Sequence, residues 1–296
     1  MEHVTVQDVD VPAVGMGTWR LEGRECRRAV ADALDLGYRH LDTAQAYDNE
    51  ADVGAAIADA EVPREELFVA TKLDGDHRAY EDVIAGVEAS LDRLGLDWVD
   101  LLYVHWPNDS LPVLDEFLPD WLALPGPLAP DAAAVPIGET LDAMATLRRE
   151  GLIDHLGVSN FGPERLAAAR ERSGAPILAD QVQYHPYWDQ SDLLDYCLRE
   201  DVLLTAYSPL GQGGVLDDER LRRIGERYDK SPAQVAIRWL VQQAGVCTIP
   251  KATSRDHLAA NLDVFDFELT DAELLAVHQP SKLRTVGSIL RGQGPF

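Results

Sequence analysis

Short apolar runs alternate with amphipathic stretches along the whole of this 296-residue chain. The runs at 13–17, 38–42, 67–72, 99–105, 155–159, 178–181, 203–207 and 246–250 have the length and the Val, Leu and Ala content of buried β-strands. Apolar positions spaced three and four apart fill the gaps and predict helices over 25–36, 50–60, 80–94, 138–150, 163–172, 191–199, 217–228, 232–243 and 255–262. Ser231-Pro232 and Thr270-Asp271-Ala272-Glu273 carry helix-start signals, a hydroxyl acceptor followed by Pro or acids. Residues 3–6 and 9–11, around Gln7-Asp8, read as a short hairpin closing the bottom of the fold.

Eight β-then-α units in about 250 residues predict a single (β/α)8 (TIM) barrel. No Gly/Ser-rich or Pro-rich linker divides the chain, so one domain over 1–296 is expected. The runner-up, a doubly wound open sheet, would place a Gly-rich phosphate loop after an early strand. Gly15-Met16-Gly17-Thr18-Trp19 is a poor match, because no Gly opens a helix three residues later. One segment breaks the rhythm: 108–136, rich in Pro, Leu and Asp, is a long loop after the fourth strand. On the C-terminal rim, with Trp121 in its middle, it reads as a substrate lid.

Charge changes the picture next. The formal net charge is −25, only 4 of 26 basic residues are lysines, and 32 of 51 acids are aspartates. Short carboxylates hold a dense hydration layer and scarce Lys leaves few exposed methylenes, a pattern expected of a halophilic protein whose self-repulsion concentrated salt screens. No basic stripe exists to neutralise phosphates, so nucleic acid is not an expected partner. No apolar run approaches the ~20 residues of a membrane span, and the start Met1-Glu2-His3-Val4-Thr5 has no basic region or apolar signal core. A cytoplasmic monomer is expected. Cys26, Cys197 and Cys247 are widely spaced and read as reduced, buried thiols. The eight histidines are scattered, with no carboxylate–His pair at helical spacing, so no metal site is predicted.

The chemistry collects at strand ends. Asp42 ends the second predicted strand, Lys72 the third and His105 the fourth, while Tyr47 follows Asp42 closely enough to fold back over the same rim. Adjacent strands lie about 4.8 Å apart, so the four side chains can converge. A phenol beside an ammonium makes a proton donor: the cation stabilises the phenolate and is expected to lower a pKa ordinarily near ~10. Asp42 would fix Lys72, and His105 would orient a carbonyl oxygen. None of the four supplies reducing equivalents, so a hydride requires a bound cofactor.

In order and approximate spacing, Asp42, Tyr47, Lys72 and His105 resemble the catalytic tetrad of the aldo-keto reductases. The resemblance extends over nearly the whole chain, through Gly157-Val158-Ser159-Asn160-Phe161, Asp180-Gln181-Val182-Gln183-Tyr184-His185-Pro186, Ala206-Tyr207-Ser208-Pro209-Leu210-Gly211 and Ile249-Pro250-Lys251. It implies NAD(P)H-dependent reduction of aldehydes or ketones, with hydride from the nicotinamide and the proton from Tyr47. Carried over by position, Ser159, Asn160 and Gln181 would hold the nicotinamide carboxamide and Tyr207 would stack on its ring. Ser208, Leu210 and Gly211 would line the pyrophosphate, with Lys251 at the 2′-phosphate of NADP and Asn261 at the adenine.

The adenosine end departs from the pattern. Many relatives have Arg at the position of His257, Ser at Ala252 and a carboxylate at Ala260. A neutral His donates less to a phosphate than a guanidinium fork, which leaves Lys251, Ser254 and Arg255 for the task. NADP(H) is therefore the expected preference, with appreciable NAD(H) use. Trp19, Trp106 and Trp121 would wall an apolar substrate pocket, and His185 reads as structural. Two rivals are a nicotinamide-dinucleotide-binding regulatory or sensor protein on the same fold, which need not keep the tetrad, and a barrel hydrolase, which would want a metal cluster or paired carboxylates.

Overall fold

A computed structural model of the chain describes residues 2–75, 78–107 and 135–280. The chain opens with a hairpin of β1 (His3–Val6) and β2 (Val9–Pro12), antiparallel with Val6 opposite Val9. Gln7 and Asp8 both take positive φ, 51° and 62°, as a two-residue turn of this hand requires. Gln7 then ties the hairpin across the barrel bottom, its N–H donating to Asp201 Oδ2 at 3.0 Å and its Nε2 to Ile177 O at 3.0 Å.

Eight parallel strands follow in sequential order: β3 (Met16–Gly17), β4 (His40–Asp42), β5 (Phe68–Leu73), β6 (Val99–Val104), β7 (Ile153–Ser159), β8 (Ile177–Gln183), β9 (Leu203–Tyr207) and β10 (Val246–Thr248). A parallel bridge between Val14 and Thr248 joins the first to the last. Gly15 N–H donates to Thr248 O at 2.8 Å and Thr248 N–H to Ala13 O at 2.9 Å, so the sheet closes on itself. The expected (β/α)8 barrel with its bottom hairpin is what the chain forms.

Several strands are shorter than the apolar runs suggest, the first most of all, where 13–17 keeps only Met16–Gly17 as β3. At Gly15 a Cβ would lie 2.7 Å from the His40 ring, so this close approach to β4 leaves room only for glycine. The last ends before Pro250, which has no N–H for a ladder. The described helices, numbered in chain order, are α1 (Gly23–Leu36), α2 (Glu50–Asp59), α3 (Tyr80–Leu94), α4 (Ile137–Glu150), α5 (Pro163–Arg172), α6 (Ser191–Glu200), α7 (Glu219–Gly225), α8 (Pro232–Val241), α9 (Arg255–Leu262) and α10 (Asp271–Val277). Ser231 with Gln234, and Thr270 with Glu273, form full capping boxes at α8 and α10. The predicted 217–228 helix begins only at Glu219, where Asp218 caps α7 by accepting from Arg220 N–H and Leu221 N–H, and it ends at Gly225.

Apolar side chains divide between two cores. One fills the space between strands and helices. The other plugs the barrel bottom, where Val6 and Val11 of the hairpin meet Phe68, Leu101, Tyr103 and Leu203. The strands read as nearly continuous burial, β5 and β8 throughout, as expected of a parallel sheet covered on both faces. That burial leaves the C-terminal ends of the strands as the place where polar groups gather. The 108–134 part of the expected lid, including Trp121, lies outside the described residues, as does the tail beyond 280. Among the described residues no helix is long and apolar enough to cross a membrane, and no cluster of three His, Cys, Asp or Glu could hold a metal ion.

Candidate active site

Asp42 closes β4 and Lys72 stands one residue before the end of β5; both are almost wholly buried. Lys72 Nζ donates to Asp42 Oδ1 at 2.5 Å and to Thr43 O at 2.8 Å. Burial opposes the charge on Lys72, but Asp42 and the neighbouring Tyr47 together outweigh it and hold its pKa above the ordinary lysine value. Tyr47 ends a short 3-10 turn, Gln45–Tyr47, with the Lys72 ammonium 5.0 Å from its ring centroid. The His105 ring, just past β6, lies 5.8 Å from the Tyr47 ring in an edge arrangement.

The phenol does not behave as the sequence suggests. Burial raises the Tyr47 pKa, and the pull of Lys72 in the other direction is smaller, so the net shift is upward from the ordinary tyrosine value. The correction has a simple origin. The same enclosure that brings the cation close also strips water from the phenolate. Lys72 therefore limits the rise instead of producing a net fall. His105 is pushed down to about 3 by burial and by the Lys72 charge, so its imidazole is neutral across ordinary pH.

The turn that aims Tyr47 is held by side chains that sequence reasoning passed over. Gln45 Nε2 donates to Gly86 O and Ser90 Oγ, both at 3.0 Å, while its Oε1 accepts from Asp74 N–H at 2.7 Å. Asn49, fully buried, donates to Thr18 O and Leu21 O at 2.9 Å and accepts from Thr43 Oγ1 at 2.7 Å. Polar residues next to Tyr47 were the only signal, and their burial is a tertiary fact.

On the opposite wall, Gln181 of β8 donates from Nε2 to Asp42 Oδ2 at 2.7 Å. The residue expected at the cofactor carboxamide is thus fused to the Asp42–Lys72 pair. Ser159 Oγ donates to Gln181 O at 2.7 Å. Asn160, at φ 65°, donates to His105 O at 3.0 Å and to Ser159 Oγ at 3.1 Å, and its Oδ1 accepts from the Tyr207 hydroxyl at 2.9 Å. These bonds join the ends of β7, β8 and β9 to the residue after β6.

A cavity of about 540 Å³ opens over these groups. Asp42, Tyr47 and His105 line it together with Ser159, Asn160, Gln181 and Tyr207. Trp19 and Trp106 line it as expected, and Ser208 and Lys251 line it as well. Asp74, Gly75 and Arg78 line it too. They read only as a loop in the sequence, yet Arg78 is fixed there, donating from Nε to Gly75 O at 2.6 Å and from Nη1 to Pro107 O at 3.0 Å. Leu210 and Gly211 lie in the adjoining turn, where Gly211 N–H is taken by Ser208 O at 2.9 Å. Ser254 caps α9 by accepting from His257 N–H at 3.2 Å. Asn261 is buried on α9, with Tyr38 as a side-chain neighbour. Arg255, a candidate for phosphate, is instead ion-paired with Asp32 and Asp35 of α1. His185 accepts from Tyr187 N–H at Nδ1 and sits beneath Gly211.

Comparison with known proteins decides what this rim belongs to. The aldo/keto reductase family profile matches residues 13–280. The chain belongs to that family. An aldo-keto reductase of Mycolicibacterium smegmatis is 38% identical over 276 residues, covering 93% of this chain and 92% of the relative. A glyoxal reductase of Bacillus subtilis is 36% identical over 280 residues, covering 94% and 92%. The crystal structure of a Bombyx mori aldo-keto reductase in complex with NADP superposes with a TM-score of 0.81 at 33% identity, covering 93% and 91%. This aldo/keto reductase is accordingly an NAD(P)-dependent oxidoreductase of carbonyl chemistry, and NADP(H) is the family's cofactor.

Proposed function

We propose that the chain reduces small aldehydes and activated ketones to alcohols, with Tyr47 as proton donor and NADP(H) as the preferred cofactor. The observation that carries this is the convergence of Asp42, Tyr47 and His105, with Lys72 bonded to Asp42, on one cavity that also presents Ser159, Asn160, Gln181 and Tyr207. The residues fit a nicotinamide dinucleotide. Three carboxamide-competent side chains, Ser159, Asn160 and Gln181, line the same cavity as the Tyr207 ring. Ser159, Asn160 and Gln181 would hold the carboxamide, Tyr207 the ring face, Ser208 with Leu210 and Gly211 the pyrophosphate, Lys251 and Ser254 the 2′-phosphate, and Asn261 the adenine side. His257 leaves that phosphate end without a strong fork, which supports appreciable NAD(H) use.

When bound, the reduced nicotinamide supplies hydride. The chain's own residues do the rest. Neutral His105 donates a hydrogen bond to the substrate carbonyl oxygen and sets its direction. Tyr47 gives its hydroxyl proton to that oxygen as negative charge develops, and Lys72 stabilises the phenolate left behind. Asp42 holds Lys72 protonated and in place. Trp19 and Trp106 exclude water from an apolar wall, which suits short carbonyl compounds; a relative that acts on glyoxal fits the same picture. The chain works as one domain and as a monomer in the cytoplasm, and its surface, poor in Lys and rich in Asp, is adapted to high salt.

The test follows NADPH and NADH absorbance with a panel of aldehydes and ketones, in the parent and in Tyr47→Phe. The variant should lose about 10²–10⁴-fold in kcat while binding cofactor as the parent does. A variant that turns over at the parental rate removes Tyr47 from the proton step.

A further inference from the structure

The 2′-phosphate end of the proposed cofactor site is short of one guanidinium, and the fold supplies one from an unexpected element. Resting on the NADP(H) reading, we propose that Arg28 of α1 is the arginine that reads the 2′-phosphate. Arg28 Nη2 donates to Thr253 O at 3.2 Å. Thr253 lies between Lys251 and Ser254, the two groups assigned to that phosphate, and consecutive Cα atoms are only about 3.8 Å apart. The guanidinium is therefore laid against the same loop.

The alternatives on this loop are committed or weak. Arg255 is turned to Asp32 and Asp35. His257 follows the Ser254 cap through its backbone N–H, and an imidazole lacks the bidentate fork of a guanidinium. Arg28 has only a long contact of 3.9 Å to the exposed Glu25, which a phosphate dianion can outcompete. Arg24 stands one helical turn earlier on the same face of α1, and among the described residues neither it nor Lys251 has a carboxylate within ion-pair distance. In a chain of net charge −25, Arg28 on Thr253 and Lys251 two residues before it bring two cations to one loop. A bidentate guanidinium with an ammonium matches a 2′-phosphate and has nothing to grip on a 2′-hydroxyl.

Arg28→Gln, with Arg27→Gln as a control because Arg27 is paired with Asp59, is titrated with NADP+ and NAD+ by tryptophan fluorescence at one fixed KCl concentration. Arg28→Gln should weaken NADP+ about tenfold and leave NAD+ within about twofold, with the control unchanged for both. Equal losses for the two cofactors would show that Arg28 only steadies the Thr253 carbonyl, and no loss for NADP+ would show that it makes no contact; either overturns the inference. Failure of the parent to bind NADP+ would instead overturn the NADP(H) reading itself, before any variant is compared.

Discussion

Asp42→Asn tests the buried pair at the centre of the site, because it keeps the side chain's size and removes its charge. In the parent both carboxylate oxygens receive donors, Lys72 Nζ at 2.5 Å and Gln181 Nε2 at 2.7 Å. An amide has one acceptor oxygen, so its NH2 must face one of those two donors. Lys72, 0% exposed, would keep only Thr43 O at 2.8 Å. Removing one member of a buried pair costs about 3–5 kcal/mol, since the other charge is left uncompensated.

The sign with pH follows from Lys72. Its parental pKa is raised, so the pair's contribution is present below the unfolded lysine value and is lost only as pH climbs through the folded one. In the variant burial is no longer offset, the folded pKa falls below the unfolded one, and the penalty shrinks as pH rises toward about 10. Urea denaturation of parent and variant at about pH 7 and about pH 9 should show a gap of about 3–5 kcal/mol that narrows at the higher pH. A gap under about 1 kcal/mol at neutral pH, or one that widens with pH, refutes the reasoning.

Two further expectations concern the whole fold. Burial lowers His40 to about 4, and His105 and His185 to about 3, so each stays neutral in the folded state while it charges in the unfolded one below about 6.5. Asp180, enclosed on β8, is raised well above the ordinary aspartate value by burial and works in the opposite direction. Stability should therefore fall as pH is lowered from about 7 toward about 5 at constant KCl, because the unfolded imidazoles take up protons that the folded ones do not, and a flat profile over that range would be inconsistent with neutral buried imidazoles. The acidic surface predicts a lower Tm in dilute buffer than in about 1 M KCl, where the Debye length is only about 3 Å; a Tm unchanged by salt would remove the proposed adaptation.

The order of elements was legible along the chain because a parallel strand buried on both faces leaves a continuous apolar run, and each amphipathic helix leaves its own period. Residues 3–11 were readable as a hairpin for the same kind of reason: their turn needs no distant partner. Asp42, Lys72 and His105 were visible as a group because strand ends in a barrel share one rim whatever the packing details. Other features depend on atoms far apart in sequence. The close approach of Gly15 to the His40 ring is one, and the strand-end positions say nothing of Gln181 bridging to Asp42.

Charge balance is the clearest division. Tyr47 beside Lys72 implied a lowered phenol pKa from residue types alone, but the amount of water excluded decides the sign, and enclosure is a property of the packed rim. Likewise Arg255 looked available for phosphate until α1 placed Asp32 and Asp35 against it, while Arg28, far upstream, came to rest on Thr253. The sequence alone determined which groups the rim has and in what order the strands deliver them. Only the tertiary structure decided their partners and solvation, because both depend on neighbours that the fold brings together from distant parts of the chain.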